Sequence, residues 1–413
     1  MYLRSLELSS FRSFAAQRCE FSPEINVFHG PNASGKTNLL EAIYVLSNLR
    51  SFRTHLLRDL IQWEHPQAYI RGTVQPGREP AAVFSEAGKE ALPAEDETLR
   101  PGKTLAVRIE PNVQTASLNS KLARSSKEYL QVLPCTAFIP DDVSLIKGMP
   151  AGRRYFLDRG TFQYYPPYWS LLTDYNKILR QKNTLLRDFK NKAGKRSGES
   201  VPAAVAGPCE VWNQQLRTVG SKIILHRLLF VQNLQRVLTQ IYNGWLGAKE
   251  EIALRYKSSL RLASEDFPEL SARRGIEEEA MAARLESAFA QAMQDNLARE
   301  YRLGAAVIGP HRDDLEIELW GRALRSFGSQ GQQRTAVLAL KLAEVYLYHE
   351  RYGEYSILLL DDVTAELDAA RSHKLFEYLQ PGMQVFISAT SKPNLPIART
   401  FACAYFDLSE IEL

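Results

Sequence analysis

Cysteine is scarce in this 413-residue chain: Cys19, Cys135, Cys209 and Cys403 lie far apart and form no Cys-x-x-Cys pair. That spacing excludes a zinc ribbon, a redox dithiol and a disulfide scaffold, and leaves reduced structural thiols as the expectation. Long apolar runs are missing as well. No stretch approaches the roughly 20 apolar residues that span a bilayer. The opening Met1-Tyr2-Leu3-Arg4, with Arg12 close behind, lacks the apolar core and small-residue cleavage site of a secretion signal. A cytoplasmic location without membrane association is the expectation. An excess of one charge is absent too, since 51 Lys and Arg face 47 Asp and Glu for a formal +4. Any nucleic-acid surface must therefore be a local patch. No internal repeat or sustained heptad is evident.

What is present is ordinary globular material, with 45% hydrophobic and 24% charged residues, which excludes collagen-like and wholly disordered readings. At about 150 residues per domain the length makes two to three domains. The alternation at Leu3–Leu8, the extended Cys19–Phe21 and the apolar Ile25–Phe28 predict strands, and a helix follows from Thr37. Residues 69–109 are turn-rich and predict an antiparallel elaboration. Helical spacing then covers Tyr168–Arg187, Val211–Trp245 and Ile276–Arg299, with a Gly-, Ser- and Pro-bearing connector at about 191–208. Strands are predicted at Ala305–Ile308 and Leu315–Trp320. The chain ends on helix Ser329–Tyr346, strand Ile357–Leu360, helix Ala369–Leu379 and strand Gln384–Ile387.

Gly30-Pro31-Asn32-Ala33-Ser34-Gly35-Lys36-Thr37 fits G-x-x-x-x-G-K-[ST] in full, between a predicted strand and a predicted helix. In such a loop the backbone amides cradle a β-phosphate, Lys36 brings a point charge to the β- and γ-oxygens, and Thr37 offers its hydroxyl to Mg²⁺. ATP and Mg²⁺ are the cofactors implied. The complementary feature is an apolar strand ending in an acid, and Ile357-Leu358-Leu359-Leu360-Asp361-Asp362 supplies it. Asp361 would hold the metal. Asp362 would position or deprotonate the attacking water.

Ser329-Gln330-Gly331-Gln332-Gln333-Arg334-Thr335 resembles the signature segment of ABC-type ATPases, and Glu366-Leu367-Asp368 resembles their D-loop. Within that superfamily the chain resembles the RecF family along nearly its whole length. The resemblance rests on Phe11-Arg12-Ser13, Gly30 to Glu41, Ser51-Phe52-Arg53-Thr54 and Phe138-Ile139-Pro140-Asp141-Asp142. It continues through Gly152-Arg153-Arg154-Tyr155-Phe156-Leu157-Asp158, Gly309-Pro310-His311-Arg312-Asp313-Asp314 and Ser329 to Glu344. It implies an α/β fold: a P-loop ABC-type ATPase head with mixed sheets, formed by residues 1–140 and 300–413, around an inserted, mainly helical arm domain at 141–299. It also implies an ATP-dependent homodimer, in which Ser329, Gly331 and Gln332 of one copy meet the γ-phosphate held by another. Slow hydrolysis, DNA binding at gaps or junctions of single and double strand, and nucleoid association when bound to DNA follow from the same resemblance. So do RecR and RecO as partners, with RecA downstream. The chain departs from the family pattern at Ala33, where glycine is usual, and at Gln330. Ser388-Ala389-Thr390 stands where other ABC-type ATPases carry a switch histidine, which leaves Thr390 as the candidate γ-phosphate sensor.

Lys177, Arg180, Lys182, Arg187, Lys190, Lys192, Lys195 and Arg196 gather against a single Asp188. They read as a DNA-contacting arm or as a solvated helix face plus loop, and the sequence leaves both open. Arg50, Arg53 and Arg58 with His55 form a second basic group, placed to line a groove between two heads. A transporter cassette would need a coupling surface and a signature close behind the P-loop, whereas Lys36 and Ser329 are far apart. A structural-maintenance ATPase would need a much longer coiled coil and a hinge or hook. A nuclease of the overcoming-lysogenization type would need an acidic module after Asp368, and none is found.

Overall fold

A computed structural model describes residues 1–77, 102–193, 203–246, 251–260, 262, 276–363, 369–392 and 401–409. Contacts divide the chain into two units, Met1–Asp142 with Leu338–Leu413, and Val143–Val337. The later boundary lies beyond the 300 expected from the sequence. Residues 300–337 stay with the helices because Glu300 pairs with Lys182, Arg153 clasps Asp314, and strand Asp314–Leu319 pairs with Ile252–Lys257.

The first unit holds two sheets. Five parallel strands run in the order Cys403–Asp407, Ile25–His29, Val385–Ala389, Ile357–Leu360, Cys135–Phe138. The last three are buried at every position, as continuous apolar runs in a parallel sheet should be. A second sheet runs Phe14–Glu20, Tyr2–Phe11, Ala68–Gln75, Lys103–Ile109, Gln114–Leu118, Lys121–Leu122, antiparallel throughout. Its strands alternate, with Leu3, Leu6, Leu8, Ile70 and Val107 turned inward. Helix Lys36–Asn48 packs against both sheets. Leu39, Leu40, Ile43, Val45 and Leu46 are fully buried on it, and a helix covered on two sides needs apolar residues around most of its circumference. The insertion within the antiparallel sheet, 78–101, lies outside the described residues.

The second unit is built on helices Tyr168–Ala193, Ala203–Leu246 and Ile276–Leu303, which pack pairwise, beside the three-stranded sheet Arg322–Ala323, Asp314–Leu319, Ile252–Lys257. The middle helix starts earlier than its apolar spacing suggests and runs through Pro208. Residues 203–208 are thus helical instead of part of the connector, whose 194–202 stretch lies outside the described residues. Proline removes one backbone donor, but Cys209 immediately beyond it is fully buried with Leu186 and Tyr301. That packing outweighs the local breaker. The strand expected at Ala305–Ile308 does not form. Side chains take the backbone groups a ladder would need: the Ala306 amide donates to Asn183 Oδ1 (2.7 Å), the Val307 amide donates to Glu300 Oε1 (2.9 Å), and the Ala306 carbonyl accepts from Arg312 Nη2 (2.9 Å). All four cysteines are free, three of them buried.

Candidate functional site

Strand Ile25–His29 delivers the chain to Gly30 at φ 150°, and the loop then turns through Ala33 at φ 67° and Gly35 at φ 88°. Phe14 lies directly beneath Gly35, where a Cβ would come within 2.7 Å of its ring. Only glycine accommodates both that contact and the left-handed backbone. Gly35 is also the N-cap of helix Lys36–Asn48, and no side chain caps this end or places an acid in its first turn. The first amides are therefore left to an outside acceptor, with the positive end of the helix dipole behind them. Lys36 is 6% exposed, and its Nζ donates to the carbonyls of Gly30 (2.8 Å) and Pro31 (2.7 Å).

Asp361 follows the buried strand Ile357–Leu360 and is itself 4% exposed. Thr37 Oγ1 lies 3.1 Å from both of its carboxylate oxygens, and Ser388 Oγ donates to one at 2.6 Å. Burial pushes this carboxyl above the usual aspartate range, while the bonds from Ser388 and Thr37 and the charge of Arg53 pull the other way. Asp362 sits in the left-handed region at φ 50°, and its amide donates to Ser388 Oγ at 2.8 Å. Among the described residues its buried Oδ1 has no hydrogen-bond partner. A hydroxyl and a carboxylate converging beside an uncapped helix end fit Mg²⁺, which takes one or two protein oxygens and keeps several waters.

Lys36, Thr37, Asp361 and Asp362, singled out from sequence, are thus gathered on the ends of two neighbouring segments. Ser388 was not singled out, yet it holds both acids, whereas Thr390 is exposed at the end of its strand. Glu41 also escaped notice. Fully buried on the P-loop helix, it accepts from Arg12 Nε (2.8 Å) and Nη2 (2.7 Å) and from Ser51 Oγ (2.5 Å). Arg53 Nη1 lies 3.6 Å from Glu41 and donates to Asn38 Oδ1 at 2.9 Å. That places the guanidinium of Arg53, expected to face DNA, against the first turn of the P-loop helix. The signal for this cluster was a buried-phase glutamate between apolar residues of an amphipathic helix.

Ser329, Gly331 and Gln332 lie in the second unit. Ser329 Oγ accepts from the Gln332 amide (3.2 Å), and Gln332 Oε1 accepts from the Ser329 amide (2.9 Å), a reciprocal capping box that starts helix Gln330–Tyr352. Glu366-Leu367-Asp368 lies outside the described residues. On helix Tyr168–Ala193, Lys177, Arg180 and Arg187 are exposed, and three- and seven-residue spacing sets them on one face. Lys182 corrects the sequence reading. It is fully buried, with Nζ 2.5 Å from the equally buried Glu300, and cannot touch DNA.

Fold and site define a P-loop protein of the ABC type. Residues 2–409 match the family model for the RecF/RecN/SMC N terminal domain. The chain is 35% identical over 394 residues to the DNA replication and repair protein RecF of Bacillus subtilis, covering 95% of this chain and 94% of that one. It is 33% identical over 402 residues to RecF of Geotalea uraniireducens, covering 96% and 95%. Two solved structures of the recombination mediator protein RecF in the RecFOR pathway, its RecF-ATPrS and RecF-ATP forms, each match with TM-score 0.75 and 28% identity. They cover 99% and 95% of this chain and 96% and 93% of theirs. The chain belongs to the RecF family, and its role falls in DNA replication and repair. Among the described residues no helix is long and apolar enough to cross a membrane.

Proposed function

We propose that this chain is an ATP-switched DNA-binding protein, in which ATP joins two copies and slow hydrolysis releases them. The reading is carried by the contact of Thr37 Oγ1 with the Asp361 carboxylate beside an uncapped helix end. That contact brings the two halves of a nucleotide site together across most of the sequence. Gly30, Pro31, Asn32, Ala33, Ser34 and Gly35 wrap the phosphates, and Lys36 exchanges two neutral carbonyls for phosphate oxygens. Thr37 and Asp361 hold Mg²⁺, which supplies neutralisation of the β- and γ-oxygens when bound. Asp362 orients and deprotonates the attacking water, for which its Oδ1 has no competing partner among the described residues. Arg53, whose guanidinium reaches Asn38 in the first turn of the same helix, adds a second cation to the phosphate site. Ser329, Gly331 and Gln332 would complete the site of a second copy, Ser329 giving up the Gln332 amide to do so.

Residues 1–142 and 338–413 then act as the ATPase head, and the helical unit as an arm that contributes Lys177, Arg180 and Arg187 to a gapped or junction DNA. RecR and RecO are the partners and RecA loading the outcome, in the cytoplasm and at the nucleoid. Light scattering tests the clamp: the protein should be larger with ATP than with ADP, and Lys36→Ala should abolish the difference. A monomer under every nucleotide condition overturns the mechanism. For the nucleic acid, anisotropy on gapped DNA should show ATP-dependent binding whose affinity falls with salt. Asp362→Asn should keep the ATP-dependent dimer while turnover falls.

A further inference from the structure

Trp63 is the most exposed large apolar residue among the described positions, at 88%. It stands at the tip of a turn closed by the His65 amide donating to the Gln62 carbonyl (3.1 Å), and the residue after it, Glu64, is held at φ 65°. Glycine or asparagine normally occupies such a position. Backbone strain of this kind persists where the surroundings over-determine it and is found at ligand clamps.

The turn is anchored from behind. The Gln62 amide donates to Ser10 O (2.8 Å), His65 Nδ1 lies 3.2 Å from Ser10 Oγ, and Ile61 bridges Phe11. The Arg12 amide donates to Leu60 O (2.9 Å), while its side chain joins Asp59 O (2.5 Å) to the buried Glu41 of the P-loop helix. An indole that projects into solvent from a backbone this well fixed loses little entropy on binding. The segment that carries it is also cationic: Arg58 is 73% exposed, and Arg50 lies 3.0 Å from His55. One of the segment's two acids, Asp59, is engaged by Thr54 Oγ1 at 2.6 Å. A flat π-surface on an arginine-bearing segment matches an unpaired base on a phosphate backbone, since every base offers a π-face and each phosphate a charge. A protein hot spot would also use tryptophan and arginine. The arginines of its own segment favour the polyanion.

We infer that Trp63 is a stacking platform for an unpaired base on the single-stranded side of the DNA junction. This rests on the DNA-binding reading above. Three labelled DNAs test it on the full chain with ATP: oligo-dT, a gapped duplex and a blunt duplex. Stacking contributes about 1–3 kcal/mol per base, so Trp63→Ala should weaken oligo-dT and gapped DNA about tenfold while leaving the blunt duplex unchanged. Trp63→Tyr should restore most of the loss. The chain has five tryptophans, so the emission difference between the parent and Trp63→Phe isolates this indole, and oligo-dT should quench it. Equal affinity of parent and Trp63→Ala for all three DNAs, or an equal loss on all three, overturns the platform while the DNA-binding reading stands. A parent that binds none of them overturns that reading and the platform with it.

Discussion

Two lysines and two aspartates, three of them buried and Asp158 partly so, divide between the units in opposite ways. In the helical unit, Lys182 meets Glu300 at 2.5 Å and Asp158 meets the buried Arg227 at 2.6 Å, with Tyr168 donating to Asp158 as well. In the first unit, among the described residues, Lys36 has two carbonyls and Asp361 two hydroxyls within hydrogen-bond distance. A charge removed from water needs an opposite charge or a set of dipoles. The helical unit supplies the opposite charges for these two pairs from its own chain, each within ion-pair distance. At the P-loop the dipoles are a partial substitute, and on the proposed function the counter-charges would be those of a polyphosphate and a divalent cation. The comparison separates charges that hold a fold from charges that wait for a ligand.

Removing one partner of the buried pair should produce the largest effect. Lys182→Met leaves Glu300 uncompensated, and breaking a buried pair costs about 3–5 kcal/mol. Urea unfolding should show that loss, and adding Glu300→Gln should recover most of it. A loss below about 1 kcal/mol would mean that the pair contributes nothing beyond its neighbours. Asp361→Asn should do the reverse, leaving the ligand-free melting temperature unchanged or raised, because it removes a carboxylate that burial already disfavours. What it should lose is the stabilisation by Mg²⁺ and ATP, about 2.7 kcal/mol at a hundredfold excess over the dissociation constant. An Asp361→Asn protein that melts early without ligand would put Asp361 among the structural charges.

The same division governs what could be read from the sequence. Gly30 to Thr37 and the run into Asp361 were legible because their chemistry is local: a glycine under φ constraint, a lysine at fixed spacing, four apolar residues before an acid. The central strands and the three long helices were legible from periodicity. Lys182 was misread because its neighbours in the chain are basic, and only the fold brings it to Glu300. Ser388 and Glu41 stayed hidden for a related reason, since a serine in a strand and a glutamate in a helix look ordinary until Asp361 and Arg12 stand beside them. Ala305–Ile308 has the composition of a strand. Asn183, Glu300 and Arg312 take its backbone groups instead.

Titration should sharpen the contrast through opposite signs. His226 stacks on Tyr165 at 4.0 Å and is lowered to about 4 by burial, with Lys222 adding to the shift. His311 is likewise lowered to about 4 by burial. Each ring is favoured neutral in the fold. The stability this gives is present above the ordinary value of 6.5 and is lost as pH falls through about 4. The Asp361 carboxyl is raised, so its contribution is present at low pH and is lost as pH rises through the raised value. Melting temperature should therefore fall between pH 6.5 and 4. His226→Phe, which keeps the stack, should flatten that limb, and an unchanged limb in both His226→Phe and His311→Gln would assign acid sensitivity to other groups.

The smallest expected effect lies within the ligand site itself. Ala33 occupies φ 67°, in the left-handed region. A Cβ in that region costs about 1–2 kcal/mol, and glycine in its place gives back about 0.4–1 kcal/mol through the freer unfolded chain. Ala33→Gly should thus stabilise the ligand-free protein by about 0.5 kcal/mol. Ala33 is exposed and touches none of the charges that separate the two units, so the gain should be the same with and without nucleotide. A gain that appears only when ATP is bound would show that the left-handed turn at Ala33 tightens on the phosphates. The strain would then belong with Lys36 and Asp361, among the features completed by the ligand.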